Sequence, residues 1–438
     1  MVNTREIALY CIIEILEKKQ YSHYVIKQVL DKYGYLDKRE RSFIKRMAEG
    51  TIERCIELDY VLDSFSKVPV KKMKPFIRSL MRMGVYQILY MDGVPDAAVC
   101  NESVKLAEKR GFASLKGFVN GVLRNIARNK EKIAYPQKEA DLLAYLSVRY
   151  SQPEWIVAMW LSRFGADKTE KILKGLLEER PVTVRIDENL GKEEKEDLLR
   201  RISLAGIEFC PVNGLSYAYK LENPDKVESI PGFAEGRIMV QDAGSMEIVE
   251  MAGIKEGQYV LDVCGAPGGK ALHAACKLNH TGFVRVRDVS EKKTALMEEN
   301  IKRSGYENIE AETFDATVED KASIEKADVV IADLPCSGLG AMGRKGDIKY
   351  RVKEADIDKI AVLQKNILST VWRYVKPGGR LVFSTCTLTE EENEENTRWF
   401  LKKFPFIKEK EKTLFPGIDE TDGFYMVSFL RNKEESVE

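Results

Sequence analysis

The second half of the chain repeats one pattern five times: a short apolar run ending in polar or small residues, then a segment of helical periodicity. The runs are "YVLDVCGAPGGK", "GFVRVRDVSEKK", "IEAETFDA", "ADVVIADLPCSG" and "GRLVFSTC". Strands and helices alternating in this way bury their apolar faces as a doubly wound, parallel sheet, so residues 231–438 are expected to form one Rossmann-like α/β domain. The tail "DGFYMVSFLR" reads as a closing strand, an antiparallel hairpin partner of a strand near "FPFIKEK".

At 438 residues the chain is too long for one core, and the rest of the sequence is patterned differently. Residues 1–140 carry apolar positions at three- and four-residue spacing throughout, as in "REIALYCIIEILEK", "RSFIKRMAEGTIERCIELDYVLDSF" and "LKGFVNGVLRNIARN", which predicts an all-α bundle. Between them, 141–230 begins with a connecting helix around "YSQPEWIVAMWLSRFG". It continues through "PVTVRID" and "KEEKEDLLRRISLAG" as a small α/β module. Trp155, Trp160 and Trp372 are core candidates at helical spacing.

Charge divides along the same lines. Residues 1–140 hold 26 Lys+Arg against 17 Asp+Glu, a balance of +9, and the remainder holds 43 against 52, a balance of −9. A basic amino-terminal third points weakly to nucleic acid, or to a lysine-rich solvated surface. With 44% hydrophobic and 32% charged residues the composition is that of a soluble globular protein. No apolar run approaches the roughly 20 residues of a membrane span, and the amphipathic opening lacks a signal-peptide cleavage site, so no membrane partner and a cytoplasmic location are expected. The eight Cys include no CxxC pair, and three His cannot build an obvious zinc site; reduced thiols and no metal are expected.

The first α/β run, Leu261–Lys270, is a strand leading through a Gly-rich turn into a helix. Gly265, Gly268 and Gly269 let a ligand approach the backbone. The spacing matches neither GxGxxG nor GxxxxGK[ST], so the ligand is not held as a nucleotide phosphate. Asp262, Asp288, Asp315 and Asp333 end successive strands. Asp288 lies where a carboxylate accepts hydrogen bonds from ribose hydroxyls, and the four together suit an adenosyl ligand carrying an amine and a sulfonium; each alone could merely cap a helix.

The last run ends at Cys386, in "FSTCTLTEEENEEN". Thr387 with Glu390 three residues on reads as a capping box, which would place the thiol at a strand-to-helix turn with a helix N-terminus to lower its pKa; the residues alone equally allow a small buried thiol that only packs. Cys336, in "LPCSG", ends the preceding strand, so both thiols face one crevice.

These motifs resemble those of the RNA cytosine-5 methyltransferases of the NOL1/NOP2/Sun family, and within it the bacterial RsmB (Fmu) branch, which methylates small-subunit ribosomal RNA. "DVCGAPGGK" is similar to the family's S-adenosylmethionine loop, usually DxCAAPGGKT. "ADLPCSGLGAMGRKGDIKYR" is similar to its DxPCSGxGxxRRxPDxxWR segment, "STCTLTEEENE" to STCTxxxEENE, and "VQDAGSM" to QDxxS. The helical region resembles the NusB-like RNA-binding domain that marks the branch. Gly265 replaces the usual alanine, Ala271 the usual threonine and Gly346 the usual proline; the first two substitutions are expected to loosen cofactor contacts.

The resemblance implies an S-adenosyl-L-methionine-dependent 16S rRNA (cytosine-C5)-methyltransferase with 16S ribosomal RNA as partner; a monomer is expected, though the sequence leaves the oligomeric state open. It implies Cys386 as nucleophile, Cys336 in product release, and Asp333 at the cytosine edge and the cofactor. Lys270 is expected to line the active site. The cofactor is expected against Cys264, Gly265, Ala266, Pro267, Gly268, Gly269, Lys270, Asp288, Asp315 and Asp333. Arg344, Lys345 and Lys349 are expected on RNA phosphates, and His273 as a packing neighbour of the loop. A tRNA or 23S rRNA enzyme of the same family, or a non-catalytic RNA-binding assembly factor, are the competing readings. A DNA enzyme would use the PC cysteine and an ENV motif, which this chain lacks.

Overall fold

The computed structural model describes residues 3–179, 181–222, 224 and 226–433. They form two compact units, Met1–Leu177 with Met342–Glu354, and Glu178–Ala341 with Ala355–Glu438. Among the described residues no helix is long and apolar enough to cross a membrane.

The first unit is helical, as the periodicity predicts. Its helices include Thr4–Ile12, Lys38–Glu53, Cys55–Phe65, Pro75–Tyr90, Asp96–Lys109 and Lys116–Asn129. Asp37 starts the second of these with a capping box, its side chain accepting from the Glu40 N–H at 2.7 Å. Proline opens Pro75–Tyr90, where its missing N–H costs nothing. The long helical run expected from "RSFIKRMAEG" onward breaks at Arg54 into two helices. Ile44, Met47, Leu58, Leu80, Met81, Val119 and Leu123 share one buried core. Leu142–Arg149, Glu154–Phe164 and Ala166–Gly175 belong to this unit rather than to a separate connecting module, and Trp160 is fully buried there while Trp155 is half-buried.

The second unit holds two sheets. Strands β1 (Val182–Ile186), β2 (Phe209–Val212), β3 (Leu215–Leu221) and β4 (Ile238–Val240) form an antiparallel sheet in the order β2-β3-β1-β4. Helix Lys192–Leu204 packs Leu198 and Ile202 against Val184, Ile186 and Leu221. Because β4 pairs with β1, this module extends past the expected boundary at 230.

The seven-stranded sheet contains β5 (Tyr259–Asp262), β6 (Phe283–Asp288), β7 (Ile309–Thr313), β8 (Ala327–Asp333), β9 (Val375–Thr385), β10 (Phe406–Leu414) and β11 (Phe424–Arg431), ordered β10-β11-β9-β8-β5-β6-β7. The five strands read from the sequence are parallel, and β10 and β11 form the expected antiparallel hairpin, with β11 paired to β9. Alternation along each strand sends side chains to opposite faces. Val260, Val284, Val329 and Val382 enter one apolar layer; Leu261, Val330, Leu381 and Phe383 enter the other. Strand order reverses between β5 and β8, which opens a crevice at their carboxyl ends.

Candidate active site

Asp262 ends β5, Asp333 ends β8, and β9 runs beside β8 with Asp333 opposite Ser384. That register alone brings Cys336 and Cys386 together. Their sulfurs are 3.1 Å apart, and the Cys386 N–H donates to the Cys336 sulfur at 3.3 Å. The hydrogen bond with Cys386, then burial, then the charges of Cys386, Glu392 and Asp333 push the Cys336 thiol well up. Each cysteine is half-buried, so each keeps an open side.

Beside them Lys270 donates to Asp333 Oδ2 at 2.5 Å, and Ser384 Oγ donates to Oδ1 at 2.7 Å. Burial works against the Lys270 ammonium, but the Asp333 charge and hydrogen bond, with Asp262 and Cys386, outweigh it and raise its pKa. A protonated Lys270 therefore fixes the Asp333 carboxylate at the thiol end of the crevice.

The Gly-rich loop occupies the β5 side. Gly268 takes φ +101° and starts helix Gly269–Lys277, a conformation a side chain rarely adopts. Gly265 donates to the Arg287 carbonyl at 2.8 Å, which ties the loop to β6. A Cβ at 265 would lie 2.3 Å from Val286 Cγ2 and 2.7 Å from the Asp262 carboxylate, so the glycine matches close local packing. Ala266 is half-buried, Pro267 exposed and Gly269 half-buried. Cys264 is half-buried and its thiol is raised by burial and by the carboxylates of Asp262, Asp288 and Asp333.

Asp262 is fully buried and its Oδ2 has no hydrogen-bond partner. Burial raises it to about 7, against the Lys270 ammonium and with the Asp333 charge. A buried carboxylate oxygen without a donor is costly in isolation, and a cationic ligand would satisfy it. Asp288 is buried at the end of β6, accepting from the Ser290 N–H at 3.1 Å and from Lys293 Nζ at 3.4 Å. These residues fit an amine-bearing adenosyl group. Asp315 stands apart: it is exposed, bonds the Thr317 N–H and hydroxyl at 2.8 and 2.7 Å, and is lowered by those bonds, so its carboxylate serves a local turn.

Two sequence readings change. The segment after Cys386 is not a capped helix; the helix starts at Glu394, and the Thr387 hydroxyl meets Ser337 Oγ at 2.6 Å instead of an N3 amide. No helix N-terminus therefore follows Cys386 directly. Lys349 is not an exposed phosphate ligand. It is 3% exposed in the first unit, donates to the Glu53 and Ser151 carbonyls at 2.7 and 2.6 Å, and burial lowers it to about 8. Arg344 and Lys345 are exposed. His273 is fully buried, 3.2 Å from Glu188 Oε1, and burial lowers it to about 4.

The sequence reading missed the braces around both thiols. Glu392 accepts from the Ser337 N–H at 2.9 Å, Ser337 Oγ at 2.5 Å, Thr389 Oγ1 at 2.8 Å and Gln364 Nε2 at 3.2 Å. Gln364 also donates to the Pro335 carbonyl at 2.9 Å. Asn393 accepts from Thr385 Oγ1 at 2.5 Å and donates to the Thr387 carbonyl at 3.1 Å. The chain on both sides of each cysteine is thus tied down. Within the acidic run nothing in the sequence marks Glu392 and Asn393 as the buried pair.

A glycine loop at a strand-order switch, strand-end carboxylates and a lysine–aspartate pair beside two thiols define a methyltransferase-type Rossmann-like site. Residues 250–430 match the family described as 16S rRNA methyltransferase RsmB/F, residues 2–128 the NusB family, and residues 152–228 the RsmF/B-like ferredoxin-like domain. The chain is 32% identical to the probable ribosomal RNA small subunit methyltransferase B of Bacillus subtilis, covering 98% of this chain and 99% of that protein. It is 28% identical to ribosomal RNA small subunit methyltransferase B of Klebsiella pneumoniae, covering 99% of each. The crystal structure of PH0851 superposes with a TM-score of 0.81 at 23% identity, covering 98% of this chain and 99% of that one. The NSun6 structure from Pyrococcus horikoshii with SFG gives 0.58 at 20% identity, covering 65% of this chain and 99% of that one. The chain belongs to the RsmB/F methyltransferase family.

Proposed function

We propose that the chain methylates carbon 5 of a cytosine in 16S ribosomal RNA, through a covalent adduct with Cys386. The observation that carries this reading is the pair of strand-end thiols 3.1 Å apart beside the Lys270–Asp333 pair. Carbon 5 of cytosine is a weak nucleophile, so a thiolate must first add to carbon 6. Relatives named as small-subunit rRNA methyltransferases support the substrate class.

Asp262 and Asp288 would hold the amine and the ribose hydroxyls of S-adenosyl-L-methionine, with the 264–269 backbone along it. When bound, that cofactor supplies an electrophilic methyl group. Cys386 adds as thiolate to carbon 6, and ring nitrogen 3 takes up a proton from solvent water at the edge that Asp333 faces, where the carboxylate then accepts the new N–H. Lys270 and Ser384 hold Asp333 in orientation for that edge. After carbon 5 is methylated, solvent water takes the carbon 5 proton, the electrons of that carbon–hydrogen bond restore the ring double bond as the carbon 6–sulfur bond breaks, Cys386 recovers its electron pair, and ring nitrogen 3 returns its proton to water. Cys336 assists this elimination from its place against Cys386. One chain carries every group named, consistent with a monomer.

The test compares two variants on denaturing gels with RNA and S-adenosylmethionine. Cys336→Ala should accumulate a protein–RNA adduct, and Cys386→Ala should form none and retain less than about a hundredth of activity, since loss of a covalent step costs far more than 2–3 kcal/mol. An adduct with Cys386→Ala and none with Cys336→Ala would reverse the assignment.

A further inference from the structure

Glu392 is a fully buried carboxylate that touches neither thiol. Its Oε2 accepts from the Ser337 backbone N–H and from the Gln364 amide. The Gln364 orientation is fixed independently, because its nitrogen also meets the Pro335 carbonyl while its oxygen accepts from Asn396 Nδ2 at 2.7 Å. Its Oε1 accepts the Ser337 and Thr389 hydroxyls. Oε2 faces two N–H groups that can only donate, and Oε1 meets two hydroxyls free to donate to it, an arrangement that suits the ionised form, although burial pushes the carboxyl up.

Through Ser337 and Gln364, Glu392 holds the chain on both sides of Cys336. Ser337 follows Cys336, Pro335 precedes it, and Ser337 Oγ meets the hydroxyl of Thr387, which follows Cys386. A buried charge with this satisfaction is costly to place for packing alone, where an apolar residue of similar volume would serve as well. We propose that Glu392 is a positioning residue: its carboxylate clamps the Cys336 loop to the Cys386 turn and, by its charge, keeps Cys336 a thiol so that only Cys386 acts as nucleophile. This division of labour rests on the proposed function, and it gives Cys336 a proton to share with the Cys386 sulfur.

The experiment is alkylation of the RNA-free protein by iodoacetamide between pH 7 and 9, with the two cysteine peptides quantified by mass spectrometry. Because neither RNA nor methyl transfer is involved, the result does not depend on which thiol attacks the base. Glu392→Gln keeps the shape and removes the charge. The hydrogen bond with Cys386 and burial, which lift the Cys336 thiol most, remain in this variant, so the ratio of Cys336 to Cys386 alkylation should rise by about threefold or more, as half a pKa unit changes the thiolate fraction about threefold. Cofactor affinity, measured in parallel, should stay within a few-fold. Ser337→Ala, which opens the clamp but keeps the charge, should raise the ratio by less and in the same direction, and decides the matter if Glu392→Gln does not fold. A ratio within about twofold of the wild type in the folded variant would overturn the proposal, as would equal acceleration of both cysteines, which is what simple loosening gives.

Discussion

Gly265→Ala restores the residue usual in the NOL1/NOP2/Sun motif, yet in this chain it should be harmful. The new methyl would sit 2.3 Å from Val286 Cγ2 and 2.7 Å from Asp262 Cγ and Oδ2, closer than real Cβ contacts come. Val286 and Asp262 are both fully buried, so neither can swing into solvent. Overpacking of this kind costs about 1–3 kcal/mol. Val286→Ala alone should cost about 2 kcal/mol, from lost burial and the cavity left behind. In the double variant the alanine at 265 fills part of that cavity, so the combined cost should fall at least ~1 kcal/mol below the sum. The assay is hydrogen exchange of β5 and β6 peptides by mass spectrometry, which reads this layer without mixing in the helical unit. The single Gly265 variant should exchange about 5- to 150-fold faster there, the factor for 1–3 kcal/mol. Unchanged exchange, or strict additivity in the double variant, would refute the claim that Val286 closes this space.

Asp288→Ala should weaken S-adenosylmethionine binding by about 1–3 kcal/mol, the loss of charge-assisted hydrogen bonds to ribose, and unchanged calorimetric affinity would reduce Asp288 to a brace for Ser290. Asp262, raised to about 7 by burial, is mostly protonated at pH 6 in the free protein. A cationic ligand favours its carboxylate, so binding at pH 6 should release a proton and tighten as pH rises toward 7. Calorimetry in buffers of different ionisation enthalpy measures that proton, and none released would remove Asp262 from the amine site. His273 is lowered to about 4, so the folded state binds fewer protons than the unfolded one between about 4 and 6.5. Its contribution to stability is complete above about 6.5 and is lost as pH falls through about 4, a dependence that His273→Gln should flatten in hydrogen exchange of the Gly269–Lys277 helix.

The parallel strands and the position of both thiols were legible because alternation and strand ends are local signals. Asp262, Asp288 and Asp333 were found by the same rule, and so was Asp315, which the rule alone cannot tell from a turn residue satisfied by Thr317. The failures came from partners far away in sequence. Thr387 and Glu390 have capping-box spacing, but Ser337, fifty residues earlier, takes the Thr387 hydroxyl. Lys349 has the look of a phosphate ligand, yet two carbonyls from Glu53 and Ser151 receive its protons. Glu392 could not be separated by sequence from the other glutamates of the acidic run, Glu390 and Glu395 among them exposed, because burial decides its role.

The segment Met342–Glu354 is counted with the helical unit although it follows the Cys336 strand in the chain. Asp347 accepts from Ser22 N–H at 3.3 Å, Tyr350 donates to the Ile52 carbonyl at 2.9 Å, and Arg351 lies 3.5 Å over the Tyr21 ring. The helical unit is therefore assembled from two separated stretches of polypeptide, and the catalytic unit is one chain interrupted by a loan to the other. A cut in the sequence near residue 178 does not yield two finished modules. The amino-terminal fragment would lack a piece of its own packing, and the carboxyl-terminal fragment would carry that piece without its hosts. Genetic separability, so common for tandem domains, is forfeited here by thirteen residues placed between Cys336 and the next α-helix of the catalytic unit.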